Sequence, residues 1–392
     1  MKKFIAVLLS LFLFIGMIPC AGMAESKPLT IVTTIFPLYD WARQIAGENE
    51  NTNLVLLLDN GVDLHSYQPS AQDIMTISTA DLFIYVGGES DEWVEDVLES
   101  AMNPDLVSIS LTEAMGEDLK IEETVEGMEH EHHHDHDHDE EEEHDHEHEE
   151  DEHDHEHEDE EHDHDEDHDH DEDHEEEHDH DEDHKEDHDH EEEHNHDHDH
   201  EEEHDHDHDH EEEEEYDEHV WLSLRNARKL TAAIAEALAG IDPDHAETFR
   251  ANAAAYDEQL KALDDQYTAM TESAAIKTVL FADRFPFRYL TDDYGLTYFA
   301  AFSGCSAESE ASFETIAFLA NKVSELNLPA VLTIESGNRK IADTVLSTAN
   351  AADRKVLTLN SMQSVTAEDV ENGITYLSMM EENLNALKEA LN

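Results

Sequence analysis

The side chains whose types and spacing could do chemistry in this chain are imidazoles, carboxylates and one thiol, and that chemistry is metal coordination. Residues 129–218 hold 30 of the 33 histidines, in runs such as HDHDHD, HDHEHE and HEEEHNHDHDH. The rest of that stretch is 57 acids plus Lys185, Asn195 and Tyr216. Neutral imidazole suits zinc, copper, nickel and iron, and flanking carboxylates draw cations toward it. Acids alone would make a solubilising segment, so the interleaved histidines point to metal collection. With no apolar surface to offset chain entropy, the stretch is expected to be disordered.

Outside it, a few polar residues fall at the ends of expected strands, where the ligands of parallel α/β sheets gather. His65 follows the apolar run NLVLLLDN, Asp283 and Arg284 close KTVLFAD, Glu335 closes PAVLTIES, and His219 follows the insert directly. Two imidazoles and a carboxylate with room for another donor make a zinc-type site. Tyr67 and Trp221 read as aromatic walls without chemistry.

The elements that must position these groups are short. Before the insert, apolar runs at 29–36, 53–60, 81–88 and 106–110 alternate with helical patterns; after it come 277–283, 296–303, 329–336 and 355–360. Continuous apolar strands separated by helices predict mainly parallel sheets covered on both faces. Between the halves, Phe249, Tyr256, Leu260, Leu263, Tyr267 and Met270 recur at helical steps, predicting one long helix over 242–273 with Asp242 and Pro243 at its start. The last helix is read as ENGITYLSMMEENLNALKEAL. The fold class is therefore α/β, with an N-terminal lobe over 25–128 and 219–241, a linking spine helix, a C-terminal lobe over 274–392, and the insert over 129–218.

Formal net charge is -83, and both parts are acidic: outside the insert 46 acids face 19 bases. This argues against a nucleic-acid partner and for cations. Lys2, Lys3 and the run FIAVLLSLFLFIGMI form an export signal over 1–24. Two readings of its processing stay open: cleavage after Ala24, with Gly22 and Ala24 as the small residues, or lipid attachment at Cys20. Localisation is accordingly extracytoplasmic, with membrane association through Cys20 in the second case. Of two cysteines, Cys305 remains in the mature chain without an intrachain partner, so no disulfide staples the fold. No HExxH motif occurs, which weighs against a zinc hydrolase.

Together, IVTTIFPLYDWARQIAG, GVDLHSYQPSAQDI, the acidic-histidine insert running into DEHVWLSLRNA, DYGL at 293–296 and PAVLTIESGNRKIADTVL resemble the exported solute-binding proteins of zinc/manganese ABC importers, in particular the zinc-type members. The resemblance spans essentially the whole mature chain. It implies two α/β lobes joined by a long helix, one ion between them, and an ABC permease with its ATPase as partners of a monomer. Zn(II) is the expected ion and Mn(II) the lesser alternative; a zinc buffer or sequestrant without a transport role is the rival function. The resemblance gives His65 and His219 as ligands and Glu335 as the closing carboxylate. The third family histidine falls on Arg284, counted back from Tyr294, and a permanently charged guanidinium cannot bind a cation. Water or a donor from GCSAESE (Cys305, Glu308 or Glu310) would replace it; Cys305 is preferred, because a thiolate favours zinc over manganese.

Overall fold

The structure, a computed structural model, describes residues 28–47, 51–129, 215–306 and 310–392. The expected export signal, residues 130–214 of the insert and Glu308 lie outside the described residues.

Each lobe is built on one four-stranded parallel sheet. The first holds β1 (Leu29–Thr33), β2 (Thr52–Leu56), β3 (Leu82–Tyr85) and β4 (Val107–Ser110) in the order β2-β1-β3-β4. The second holds β5 (Thr278–Arg284), β6 (Thr297–Phe302), β7 (Ala330–Ile334) and β8 (Lys355–Leu359) in the order β6-β5-β7-β8. The two orders are the same pattern repeated. All registered pairs are parallel, so helices must cross between strands and cover both faces. That cover is why the strands read as unbroken apolar runs: all five residues of β7 are buried.

The spine helix runs Ala246–Ser273, about 42 Å at 1.5 Å per residue. Its buried face carries the six large residues expected from the helical spacing, from Phe249 to Met270. The buried Tyr267 hydroxyl donates to the Met380 carbonyl at 2.6 Å, which ties the spine to the last helix. The spine starts later than Asp242 and Pro243: Asp242 ends the preceding helix Leu224–Ile241, and His245 precedes the first turn.

The last helix starts later than the expected Glu371, which instead ends a separate short helix. A short helix, Ala367–Glu371, stops before Gly373 at φ +85°, and Tyr376–Ala390 begins afresh behind a Thr375 cap whose hydroxyl accepts from Ser378 N–H. Apolar spacing continues across this break, so periodicity alone did not register it; the left-handed glycine and the capping threonine are the local signals.

Side chains from both lobes meet along the junction. Arg284 at the end of β5 pairs with Asp63 of the N-terminal lobe at 2.6 Å. Trp221 Nε1 donates to the Ser361 carbonyl at 2.8 Å, and the Tyr376 hydroxyl donates to the Trp221 carbonyl at 2.7 Å. These bonds satisfy polar atoms of two fully buried aromatic side chains, so they fix the lobes in register as well as in contact. Trp221 thus holds the junction as well as forming a wall.

Candidate metal centre

Three of the four residues singled out as ligands come together. One donor atom each of His65, His219 and Cys305 lies within 4.8 Å of the others, the one such group of three or more among the described residues. Each arrives by a short local device. His65 lies past the C-terminal end of β2 in a tight turn, Leu64–Ser66, anchored by buried Leu64. Asp63 Oδ1 accepts from His65 N–H at 3.1 Å and starts that turn. His219 precedes a second tight turn, Val220–Leu222, whose three residues are all buried. Asp217 Oδ1 accepts from His219 N–H at 2.9 Å, so the same Asp-x-His arrangement sets both backbones. Cys305 lies beyond the end of β6, behind Gly304. A Cβ at Gly304 would stand 2.9 Å from His219 Cε1, so glycine is what lets this loop reach the imidazole.

The two imidazoles face each other through Nε2, 3.2 Å apart, while their Nδ1 atoms are committed elsewhere. His219 Nδ1 lies 2.9 Å from Asp217 Oδ1, and His65 Nδ1 lies 2.7 Å from Ser90 Oγ. A carboxylate at Nδ1 holds the His219 proton there and leaves Nε2 as a lone pair. The Nε2 contact is then a hydrogen bond only with the His65 proton on Nε2, and the Ser90 hydroxyl, able to donate or accept, serves the other nitrogen. A cation between the rings would displace that proton to His65 Nδ1, where Ser90 can receive it. From the C-terminal lobe the Gln363 amide closes the wall, 3.3 Å from His65 Nε2.

Burial governs the protonation states. It pushes the His65 imidazole down to about 3, helped by the neighbouring His219 and Arg284, so the ring is neutral and ready to ligate through the physiological range. Burial also pushes the Cys305 thiol far above its usual value, reinforced by Glu122, Glu218, Asp217 and Glu89. A thiol so placed keeps its proton until a cation stabilises the thiolate.

Glu335 is not in the group of three. Its Oε1 accepts from the Ser361 hydroxyl at 2.8 Å and from Gln363 N–H at 3.3 Å, and its Oε2 accepts from Ser361 N–H at 2.7 Å. The carboxylate therefore organises the loop after β8 and, through it, the Gln363 side chain beside His65. Arg284, where the resemblance would place the third family histidine, donates to Asp63 at 2.6 Å. Asp283 spends both oxygens on backbone N–H groups, of Arg284 at 2.9 Å and Ile334 at 3.1 Å. Glu310 is exposed and outside the group.

Sequence reasoning missed the supports. Residues 215–218, taken with the insert, belong to the folded part: Asp217 and Glu218 are buried. These residues after the insert pair with 120–122 ahead of it, through an Ile121–Tyr216 bridge, Glu122 N–H to the Glu215 carbonyl and Asp217 N–H to the Lys120 carbonyl, both 2.8 Å. The Tyr289 hydroxyl pins this clasp, accepting from Lys120 N–H and donating to the Asp217 carbonyl, each at 2.9 Å. From the clasp, acids reach all three candidate ligands. Asp217 holds His219, Glu218 accepts from Ser90 N–H at 2.9 Å behind His65, and Glu122 accepts from Cys305 N–H at 3.2 Å. The Asp-x-His spacing was the one signal in the sequence that could have pointed to Asp217.

Comparison with known proteins agrees with this architecture. The family model described as zinc-uptake complex component A, periplasmic, matches residues 31–390. The chain is 30% identical over 390 residues to the zinc-binding lipoprotein AdcA of Streptococcus pneumoniae serotype 4 (strain ATCC BAA-334 / TIGR4), with 99% of this chain and 61% of the relative covered. It therefore spans less than two thirds of that relative's length. It is 27% identical over 372 residues to the high-affinity zinc uptake system protein ZnuA of Bacillus subtilis (strain 168), covering 94% of this chain and 90% of the relative. Among solved structures, the Zn(II)-bound ZnuA-like domain of S. pneumoniae AdcA superposes with a TM-score of 0.60 at 26% identity, over 93% of this chain and 99% of the domain. With its whole folded length matched and its two parallel-sheet lobes in place, the chain belongs to the zinc-uptake complex component A family.

Proposed function

We propose that this protein is the extracytoplasmic solute-binding component of an ABC importer, which captures Zn(II) between its lobes and hands it to a membrane permease served by an ATPase. The ion is held by His65 Nε2, His219 Nε2 and Cys305 Sγ. The observation that carries this reading is the convergence of those three donors within 4.8 Å. Two neutral imidazoles and a thiolate form a zinc-type set, softer than the oxygen-rich sets that suit manganese, so Mn(II) is the poorer cargo. The names of the relatives, which bind zinc or serve zinc uptake, agree with that choice. The histidine-rich insert, which ends in sequence just before His219, supplies loosely held ions to the site.

Replacing Cys305 with Ser tests the ligand set. With one equivalent of Co(II) as a spectroscopic substitute, the native chain is expected to show a thiolate-to-metal charge-transfer band, and Cys305→Ser to lose it while zinc affinity falls. An unchanged affinity and spectrum would remove Cys305 from the set. Growth of the deletion strain under zinc limitation separates import from a pure buffering role: normal growth would favour the buffer.

A further inference from the structure

We infer that residues 120–129 form a strap across the C-terminal lobe that positions Cys305 for the metal, with Glu129 as the residue that anchors it. The inference rests on the reading of Cys305 as a ligand. By sequence Glu129 opens the histidine-rich stretch, where it counts as one more acid for collecting cations. In the structure its carboxylate is spent inside the fold.

The three donors are set in place differently. Each imidazole follows an aspartate two residues earlier that accepts from its backbone N–H. Cys305 N–H goes to Glu122, 183 residues away in sequence, so the place of the thiol depends on another segment. That segment leaves the N-terminal lobe and runs along β6, the edge strand of the second sheet. Near its start Glu123 accepts from the Tyr298 hydroxyl at 3.2 Å and pairs with Arg288 at 2.9 Å. At its end Glu129 N–H donates to the Ala301 carbonyl at 2.8 Å. Glu129 Oε2 then accepts from Ser312 N–H at 3.0 Å and from the Thr315 hydroxyl at 2.8 Å, at the start of the helix Phe313–Glu325. The strap therefore grips the chain at Ala301 before the cysteine, at Cys305 itself and at Ser312 after it.

The anchor is built to hold. A carboxylate at the N-terminus of a 13-residue helix is favoured by the helix dipole, and its hydrogen bonds are charge-assisted. Met128 before it and Thr315 opposite it are both buried. Gly127, at φ +88°, lets the strap pass over Phe318, whose ring a Cβ would strike. A donor carried on a loop needs such support, because loops place side chains less accurately than strands or helices do.

The test follows the cobalt–thiolate charge-transfer band of the full chain, to which ions on histidines elsewhere do not contribute. Apparent Co(II) affinity is read from that band against a competing chelator. Glu129→Ala removes both carboxylate bonds and is expected to weaken that affinity by about tenfold, the lower end of the cost of losing an outer partner. Glu129→Gln should restore it, because the Ser312 and Thr315 donors share one oxygen. Thr315→Val removes one of the two bonds at constant side-chain shape and should give a smaller loss; it carries the test if Glu129→Ala fails to fold. In the Cys305→Ser background, adding Glu129→Ala should cost no further zinc affinity in chelator competition. Equal losses with and without Cys305 would make Glu129 a general support of the fold and overturn the inference, as would native affinity in both Glu129→Ala and Thr315→Val. A native chain without the band removes the reading of Cys305 as a ligand, and this inference with it.

Discussion

The two lobes share one strand order but divide the work differently. In the first sheet the outer strand β2 leads to His65; in the second its counterpart β6 leads to Cys305. After the third strand of each order, β3 leads to Ser90, which serves His65, and β7 leads to Glu335, which shapes the loop bearing Gln363. The same scaffold thus puts a ligand or its support at matching places, and the loop residues alone decide which chemistry appears there. The N-terminal lobe supplies both imidazoles, each braced by acids from the insert roots. The C-terminal lobe supplies a thiol, a guanidinium and a carboxylate spent on backbone.

The sharpest way to break this contrast compares one residue from each lobe. His219→Ala removes a donor and is expected to cost more than about 100-fold in zinc affinity, beyond the range for supporting residues. Glu335→Gln keeps an acceptor for the Ser361–Gln363 loop and is expected to cost about tenfold or less. Equal losses in a chelator competition would make Glu335 a ligand after all and erase the division between lobes.

Next in size comes the boundary of the insert. Replacing 130–214 with a short glycine-serine linker is expected to keep one tight zinc site and remove the many weak ones. Extending the deletion through Glu218 takes away the braces on His65 and His219 and should abolish the tight site too. Indifference to those last residues in calorimetric titration would show that the clasp does not support the ligands.

Glu218 itself gives a finer measure. Glu218→Ala removes the acceptor behind Ser90 and is expected to weaken zinc binding by roughly 10- to 100-fold, the usual cost of losing an outer partner. Glu218→Gln retains an oxygen for Ser90 N–H and should restore most of the affinity. If alanine and glutamine behave alike, the path from Glu218 to His65 carries nothing.

The smallest effects are in protons. The His65 ring is neutral above about pH 3 and has no charge-bearing proton to lose, so zinc competes with a proton chiefly at Cys305. About one proton should be released per zinc bound at neutral pH, and none from this source in Cys305→Ser, read from binding heats in buffers of different ionisation enthalpy. His65 also links stability to pH. The unfolded chain protonates this residue near its ordinary 6.5, whereas the fold resists until about 3. The metal-free native chain should therefore lose stability relative to His65→Gln as pH falls from 6.5 toward 3, by a few kcal/mol at the limit. A pH-independent difference in denaturation midpoint would contradict a buried, neutral His65.

Much of the molecule was legible beforehand because its signals are local. Eight apolar runs became eight strands, and the spacing from Phe249 to Met270 became the spine's buried face. His65 and His219 were singled out by residue type and family resemblance, and Cys305 as a donor because of the guanidinium at Arg284; the structure brings these three together. What stayed hidden depends on approach across long stretches of sequence. Ser90 and Glu218 stand 128 residues apart yet share a hydrogen bond, and Cys305 reaches Glu122 over 183. Glu335 was singled out by its strand-end position and the family resemblance; that its carboxylate accepts from Ser361 and Gln363 of the loop after β8 depends on packing that no periodicity encodes.

By itself, then, the sequence determined the α/β class, the two-lobed plan, the acidic character and the kind of atom able to bind a metal, since these follow from residue chemistry and short-range spacing. Only the tertiary structure decided which donors converge and which carboxylates are spent on backbone. It also decided that the insert's roots belong to the site, because burial and hydrogen-bond competition are settled when distant segments pack.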